Sequence, residues 1–167
     1  MLTADNIKSV LDYNPDTGVF VWKINASWRV RAGDIAGAIN SEGYVTISYK
    51  RKAAKGHRLA WLYMHGDCPA MLDHVNGDRA DNRITNLRPA TASQNMWNKK
   101  LNPISRSGYK GVSERVGPKW NGKAKRIIAT ISINGKRKHL GLFPSAEDAR
   151  QAYIKAAGLH FGEFARV

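Results

Sequence analysis

Residues 72–99 constrain the possible fold of this chain more than any other stretch of its sequence. They contain an adjacent acid and histidine, Asp73-His74, then an Asn-Gly turn, and then two further amides at Asn86 and Asn95. A polar loop in which Asp and Asn cap turns and the start of a helix would explain the turn. It would not explain why the acid–histidine pair directly follows two apolar residues, Met71-Leu72, or why two amides recur after the pair. The stretch therefore predicts a chemical site arranged around a tight loop.

These side chains are the ones that a phosphodiesterase with a single metal ion needs. A hard divalent cation such as Mg2+ prefers oxygen ligands and keeps several waters, so Asp73 and the amide oxygen of Asn95 can supply the protein's share. A neutral His74 can take a proton from water near pH 7. An amide that accepts from the second ring nitrogen fixes the tautomer of such a histidine, and we assign this role to Asn86. Asn98 lies on the same predicted helix as Asn95 and is the alternative metal ligand.

Further residues extend the pattern on both sides of this pair: His57-Arg58-Leu59-Ala60-Trp61, Asp73-His74-x-Asn76-Gly77, Asp81-Asn82-Arg83, Asn86-Leu87-Arg88 and Gln94-Asn95. Together they resemble the HNH nucleases, and more narrowly the HNH homing endonucleases of phages and introns. The resemblance implies a ββα-metal (HNH, His-Me finger) fold, in which a strand, a loop, a strand and a helix surround one Mg2+ ion that Mn2+ can replace. It implies that His74 is the general base, that Asp73 and Asn95 hold the metal, and that Asn86 orients the histidine. It also implies hydrolysis of DNA to 5′-phosphate and 3′-hydroxyl ends.

The charge of the chain indicates a polyanionic partner. It carries 27 Lys and Arg against 13 Asp and Glu, a formal net charge of +14, and residues 101–167 hold 13 of the basic and 4 of the acidic residues. Such density favours phosphate neutralisation with release of counterions. Charge alone does not separate DNA from RNA or from an anionic membrane surface.

Cysteine use and hydropathy narrow the class of protein. The single cysteine, Cys68, provides no disulfide framework and no CxxC pair, so we expect no structural zinc and a reducing compartment. The N-terminus lacks a basic start followed by an apolar run, and no stretch has the apolar length of a membrane span. We therefore expect a cytoplasmic protein of a phage-infected or bacterial host cell, with no membrane partner.

The fold class that these patterns predict is α+β, organised in four segments. Residues 1–56 form a small β-rich segment that contacts DNA, residues 57–98 the nuclease unit, residues 99–107 a basic linker and residues 108–167 a separate domain. The basic run after the strand that ends near residue 49 is either a solvated hairpin tip or a phosphate contact. The DNA contacts predicted in the first two segments are Arg51, Lys52, Arg58, Arg83 and Arg88.

The last segment has the pattern of three antiparallel strands and one helix. A β-branched run at residues 125–133 meets Asn134-Gly135, the strongest short signal for a hairpin. Ser145 with Asp148 then predicts a helix N-cap with an acid in the first turn.

A second family resemblance lies in this segment. It is carried by Tyr109-Lys110-Gly111-Val112, Ala129-x-Ile131, His139-Leu140-Gly141-x-Phe143, Glu147-Asp148-Ala149-x-x-Ala152-Tyr153 and His160-Phe161-Gly162-Glu163-Phe164-Ala165. These residues resemble the ethylene-response-factor (APETALA-type) DNA-binding domain. The resemblance implies a three-stranded antiparallel sheet that packs on one helix, and it implies that the sheet lies in the major groove of DNA. The resemblance places DNA contacts at Arg115, Lys119, Trp120, Lys125, Arg126, Lys136, Arg137 and Lys138. The alternative for residues 136–138 is a solvated edge strand that resists aggregation.

The sequence thus predicts a Mg2+-dependent, homing-endonuclease-like DNA endonuclease whose C-terminal domain locates the site. Its partner is double-stranded DNA; a monomer would nick one strand and a homodimer would cut both. One rival is a DNA-binding regulator with an inactive HNH fold, and the intact set of four site residues argues against it. The other rival, an RNA-binding basic protein, leaves the predicted metal site unexplained.

Overall fold

The computed structural model describes residues 4–102, 104–115 and 126–167 of the chain. These residues divide into two compact units, Met1–Ala92 and Ser93–Val167. The division precedes the predicted linker at residues 99–107, so the helix that carries Asn95 belongs to the second unit. No helix within the described residues is long and apolar enough to cross a membrane.

The first unit begins with a short helix and a hairpin. Helix α1 (Ala4–Lys8) leads into strands β1 (Leu11–Tyr13) and β2 (Phe20–Trp22), which pair antiparallel. The connecting turn needs a glycine for two reasons: Gly18 has φ +73°, and its Cα lies against the backbone of Asn82 and Arg83, which leaves no room for a Cβ. A Cβ there would lie 2.5 Å from the amide nitrogen of Arg83, so the turn packs directly against the loop of the predicted nuclease motif.

A three-stranded antiparallel sheet and a helix follow in the same unit. The sheet contains β3 (Ala38–Ile39), β4 (Val45–Tyr49) and β5 (Lys52–Lys55), with β4 in the centre. Helix α2 (Gly56–His65) begins directly after β5 and ends at Gly66, which has φ +82° and closes a left-handed C-cap.

The motif itself forms a second antiparallel pair. Strand β6 (Leu72–His74) pairs with β7 (Leu87–Pro89), and a 3-10 turn at Ile84–Asn86 leads into the second strand. Strand, loop and strand therefore occur in the predicted order. Helix α3 (Ala92–Trp97) comes next in sequence.

One hydrophobic core joins the hairpin, the sheet, α2 and the motif. Its buried members include residues from before and after the predicted boundary at residue 56: Ile7, Leu11, Tyr13, Phe20, Trp22, Ala36, Ile47, Leu59, Ala60 and Leu87. Burial of this apolar surface is the main favourable contribution to folding. The segment predicted as a separate DNA-contacting piece is thus part of the scaffold on which the motif is built.

The second unit contains α3 and the predicted three-stranded sheet with its helix. Strands β8 (Val112–Arg115), β9 (Arg126–Ile133) and β10 (Lys136–Phe143) are antiparallel in the order β10-β9-β8. Helix α4 (Ala146–Phe161) starts at Ser145, whose Oγ accepts from the Asp148 amide at 3.1 Å. Asn134 and Gly135 both have positive φ, as the primed hairpin turn requires. The predictions for this sheet, its hairpin turn and its helix cap are confirmed.

Candidate active site

The acid–histidine pair lies at the end of β6, inside the first unit. Asp73 and His74 are each 5% exposed, and their cross-strand partners on β7 are Arg88 and Leu87. A carboxylate and an imidazole buried side by side are costly unless other groups compensate them. The surrounding residues therefore determine what this pair can do.

Asn86 holds the loop that follows His74. Its Oδ1 accepts from the Asn76 amide at 3.0 Å, and its Nδ2 donates to the Asp81 carbonyl at 2.8 Å. Its backbone carbonyl accepts from the Val75 amide at 2.9 Å. These contacts hold the loop after His74 closed, and the role of Asn86 in orienting the His74 ring stays a prediction.

Arg88 is the direct electrostatic partner of Asp73. Its Nε and Nη2 donate to Oδ2 of Asp73 at 3.0 and 2.9 Å, and the two side chains are 12% and 5% exposed. The guanidinium is thus largely buried beside the carboxylate. The structure places Arg88 inside the site, whereas the sequence analysis predicted a DNA contact there.

Two aromatic side chains surround the His74 ring. The centroid of the His57 ring is 5.0 Å from that of the His74 ring, in an edge-on arrangement, and the centroid of the Tyr44 ring is 6.0 Å from it. Tyr44 and His57 are themselves 5.2 Å apart. Burial, more than the neighbouring charges, lowers the pKa of His57 to about 3, so this imidazole is neutral at physiological pH. His57 belongs to the first segment of the HNH-like pattern, His57-Arg58-Leu59-Ala60-Trp61.

Asn82 is a buried amide that packs beside the same ring. It is 2% exposed, and its Oδ1 and Nδ2 make no hydrogen bond of standard geometry with any described residue. The Tyr13 hydroxyl donates to its backbone carbonyl at 2.7 Å, and a Cβ on Gly56 would lie 2.8 Å from its Nδ2. The hairpin and the start of α2 therefore fix Asn82, a residue that the motif contains but that we had assigned no role.

The pKa of His74 is lowered, chiefly because burial disfavours the imidazolium form. The Asn82 amide and the carboxylates of Asp73, Asp81 and Asp78 act in the opposite direction. A lowered pKa keeps the ring neutral near pH 7, and a neutral imidazole is the form that accepts a proton.

The other predicted DNA contacts of this unit have different surroundings. Arg58 donates to the carbonyls of Pro69 and Ala70, which fixes the chain before β6. Arg83 forms an ion pair with Asp81 at 2.6 Å. These two guanidinium groups contact the protein itself.

Two further predicted contacts, Arg51 and Lys52, are exposed around the turn between β4 and β5. Arg51 has φ +62°, a conformation that is uncommon for a residue with a side chain. They stay predicted phosphate contacts.

The donor groups suit a hard cation that keeps much of its own water. The described residues contain no cluster of three or more His, Cys, Asp or Glu side chains that could hold a metal. A Zn2+ site needs about four protein donors, whereas Mg2+ is satisfied by one or two oxygen ligands with waters and phosphate oxygens. Asp73 fits as the carboxylate ligand. Asn95 lies on α3 in the second unit, and its role as the other ligand stays a prediction, with Asn98 as the alternative.

The sheet of the second unit has one covered and one open face. Val112, Ile127, Ala129 and Ile131 are buried on the side of α4. Because cross-strand partners share a face, the strand register places Arg115 opposite Arg126, and Arg137 opposite Ser132, on the other side.

The register separates the predicted DNA contacts of this three-stranded sheet into two groups. Lys136 and Lys138 pair with Ile133 and Ile131, so they lie on the α4 side of an edge strand. Arg115, Arg126 and Arg137 lie on the open face. Lys119, Trp120 and Lys125 lie outside the described residues.

Comparisons with known proteins match the segment that contains this site. A family profile described as HNH endonuclease matches residues 54–97. "Protein 3.8" of Escherichia phage T7 is 30% identical over 123 residues, covering 71% of this chain and 96% of that protein. The "Uncharacterized HNH endonuclease L560" of Acanthamoeba polyphaga mimivirus is 31% identical over 130 residues, covering 76% of this chain and 63% of that protein.

A plant protein and the solved structures complete the comparison. "Dehydration-responsive element-binding protein 2E" of Arabidopsis thaliana is 35% identical over 69 residues, which cover 40% of this chain and 28% of that protein. No solved structure gives a significant match. The matched HNH residues contain the whole β6–β7 pair with its buried Asp73 and neutral His74. Residues 54–97 of this chain are an HNH endonuclease domain, and the chain is a DNA nuclease.

Proposed function

We propose that this protein is a Mg2+-dependent endonuclease in which His74 is the general base. The observation that carries the proposal is the buried pair on β6, a neutral imidazole adjacent in sequence to a carboxylate. A neutral base and an anionic oxygen ligand are the two protein groups that phosphodiester hydrolysis with one metal ion requires.

The residues of the chain would divide the work as follows. His74 takes a proton from a water molecule, and the resulting hydroxide attacks the phosphorus in line with the leaving 3′ oxygen. The bond between phosphorus and the 3′ oxygen breaks, and the 3′ oxygen takes a proton from a second water molecule. The imidazolium of His74 then releases its proton to solvent, and the products carry a 5′-phosphate and a 3′-hydroxyl. Asp73, with Asn95 or Asn98, would hold Mg2+, which supplies stabilisation of the charge that develops on the phosphate and the leaving oxygen. Asn86 keeps the loop after His74 closed.

The second unit would locate the DNA through the open face of its sheet. Arg115 and Arg126 are direct cross-strand partners, so their positive charges lie close together on the open face. Such a concentration of positive charge suits a polyanion. We propose that the three arginines of the open face, Arg115, Arg126 and Arg137, contact DNA phosphates or bases. We also propose that the enzyme resembles homing endonucleases, because it joins a nuclease to a DNA-binding unit.

A plasmid assay tests the nuclease proposal. Supercoiled plasmid that carries a target sequence should become open-circular or linear with Mg2+ or Mn2+ and stay intact with EDTA. A single HNH site cuts one strand in each engagement, so an open-circular product indicates a monomer and a linear product a dimer. If pure protein leaves a bound target intact with either metal, a DNA-binding regulator is the better description.

A charge-matched pair of variants tests the arginine face. Arg115→Gln/Arg137→Gln and Lys136→Gln/Lys138→Gln each remove two positive charges. We expect the arginine variant to lower the slope of log affinity against log salt by about two, since each lost phosphate contact lowers it by about one. The lysine variant should lower it by less than half as much. Equal losses in a fluorescence-anisotropy titration would contradict the assignment of the open face.

A further inference from the structure

Two cations outside the list of predicted DNA contacts lie over the ring of Tyr44, whose centroid is 6.0 Å from the centroid of the His74 ring. They are Lys55, at the end of β5, and Arg79, in the loop that Asn86 closes. We propose that Lys55 and Arg79 form a clamp for a backbone phosphate of the DNA strand held at His74, with the ring of Tyr44 as its platform. The inference rests on the proposed nuclease function and names the residues that position its substrate.

Tyr44 brings the clamp and the proposed base together. The Lys55 ammonium nitrogen is 3.9 Å from the centroid of the Tyr44 ring, and the Arg79 guanidinium carbon is 4.9 Å from it. The same ring is 6.0 Å from the ring of His74. A cation over an aromatic face is attracted by the negative charge density of the ring. One side chain therefore holds two cations next to the predicted reaction centre.

The first arm of the clamp is fixed by a tight turn before β4. Asn40 Oδ1 accepts from the amides of Glu42 and Tyr44, both at 3.0 Å, and Gly43 supplies the positive φ that this turn requires. The turn directs Glu42 toward Lys55, and their charged atoms are 3.1 Å apart. Lys55 is thereby held beside the Tyr44 ring.

The second arm is fixed by the loop after His74. Asn76 Oδ1 accepts from the Asp78 amide at 2.8 Å, and Asp78 Oδ1 accepts from the Ala80 amide at 3.0 Å. Arg79, between these two capped positions, donates from Nη1 to the Glu42 carbonyl at 2.8 Å. Such side-chain caps preorganise a loop before the substrate arrives.

The charges around the clamp leave it attractive to an anion. Within the described residues, Glu42 is the carboxylate that Lys55 contacts, whereas Arg79 contacts a neutral carbonyl and keeps its other N–H donors available. The Glu42–Lys55 pair is 60% and 41% exposed, and exposed ion pairs contribute little, so a phosphate can replace the carboxylate. A guanidinium and an ammonium on one phosphate make charge-assisted hydrogen bonds.

Charge-neutral variants test the clamp by two independent readouts. Lys55→Gln, Arg79→Gln and the double variant are compared with Arg31→Gln, which removes one exposed charge elsewhere in the same unit. In a His74→Ala background, each single variant should lower the salt slope of duplex DNA binding by about one and the double variant by about two. In the active protein, each should lower kcat/KM for cleavage at least about tenfold. Arg31→Gln should leave both quantities near those of the parent protein.

Variants of Tyr44 test the platform. Tyr44→Phe keeps an aromatic face for both cations, and Tyr44→Leu removes it. We expect Tyr44→Leu to lower kcat/KM more than Tyr44→Phe does, at equal thermal stability. Equal effects of the two variants would show that the ring does not position the clamp.

The two readouts separate failure of the clamp from failure of the nuclease proposal. If the parent protein cuts DNA and the Lys55 and Arg79 variants match Arg31→Gln in slope and rate, the clamp is wrong and the nuclease proposal stands. If the parent protein does not cut but the variants lower the salt slope, the clamp holds DNA and the nuclease proposal is wrong. A higher affinity for structured RNA than for duplex DNA, lost in the same variants, would overturn the choice of DNA as its ligand.

Discussion

Replacing His74 with alanine is expected to lower the rate of DNA cleavage by about 100- to 10,000-fold, or about 3–5 kcal/mol in activation free energy. The reason is that the proposed base is lost while the phosphate contacts remain. Binding of duplex DNA should therefore keep its affinity and its salt slope. Single-turnover cleavage and fluorescence anisotropy on the same duplex measure the two quantities.

The control for this prediction is a histidine outside the site. His65, at the end of α2, packs against Trp61, and their ring centroids are 4.2 Å apart. The His65→Ala variant should cut DNA at the same rate as the parent protein. Because His74 is buried, His74→Gln is a second variant that keeps much of the side-chain volume and should also lose cleavage. A collapse of DNA binding together with cleavage in both His74 variants would assign His74 to the structure rather than to the chemistry.

Asp73→Asn is expected to lose cleavage and divalent-metal binding, and to lower the free energy of unfolding by roughly 3 kcal/mol. The stability loss follows because the substitution removes the counter-charge of a largely buried Arg88, and breaking a buried ion pair in this way costs about 3–5 kcal/mol. Urea unfolding measures the stability. Electron paramagnetic resonance with Mn2+ measures metal binding without reference to activity.

A double variant distinguishes the two roles of Asp73. Asp73→Asn/Arg88→Met removes both charges, so it should recover much of the lost stability, since an apolar replacement of a buried ion pair is often neutral or stabilising. Mn2+ binding and cleavage should stay absent because the carboxylate is still missing. Normal Mn2+ binding in either variant would exclude Asp73 as a metal ligand.

Local sequence patterns predicted the elements whose geometry depends on neighbouring residues. Asn134-Gly135 specified its hairpin because that turn type needs two positive φ angles, and Ser145 capped α4 as the spacing to Asp148 indicated. The order of strand, loop and strand around Asp73 and His74 was likewise readable from the motif.

Long-range contacts were not readable in this way. The core that unites Phe20 with Leu87 depends on packing between segments far apart in sequence, and no pattern in residues 1–56 announces it. The ion pair of Arg88 with Asp73 depends on the register of β6 and β7, in which the two are direct partners. A basic residue therefore cannot be assigned to DNA until its partners within the protein are known. Arg88 was predicted to contact DNA from the sequence, and its guanidinium pairs with Asp73.

The shared core has a consequence for dissecting this enzyme into transferable parts. The family profile spans residues 54–97, which suggests a compact cassette that a protein engineer could graft onto another DNA-binding scaffold. That excerpt would leave behind the hairpin residues that bury Leu59 and Leu87, the Tyr13 hydroxyl that holds Asn82, and Tyr44. Because the proposed metal ligands Asn95 and Asn98 follow β7, the smallest portable nuclease is the first unit together with α3, and fusions should be joined after residue 98 rather than before α2.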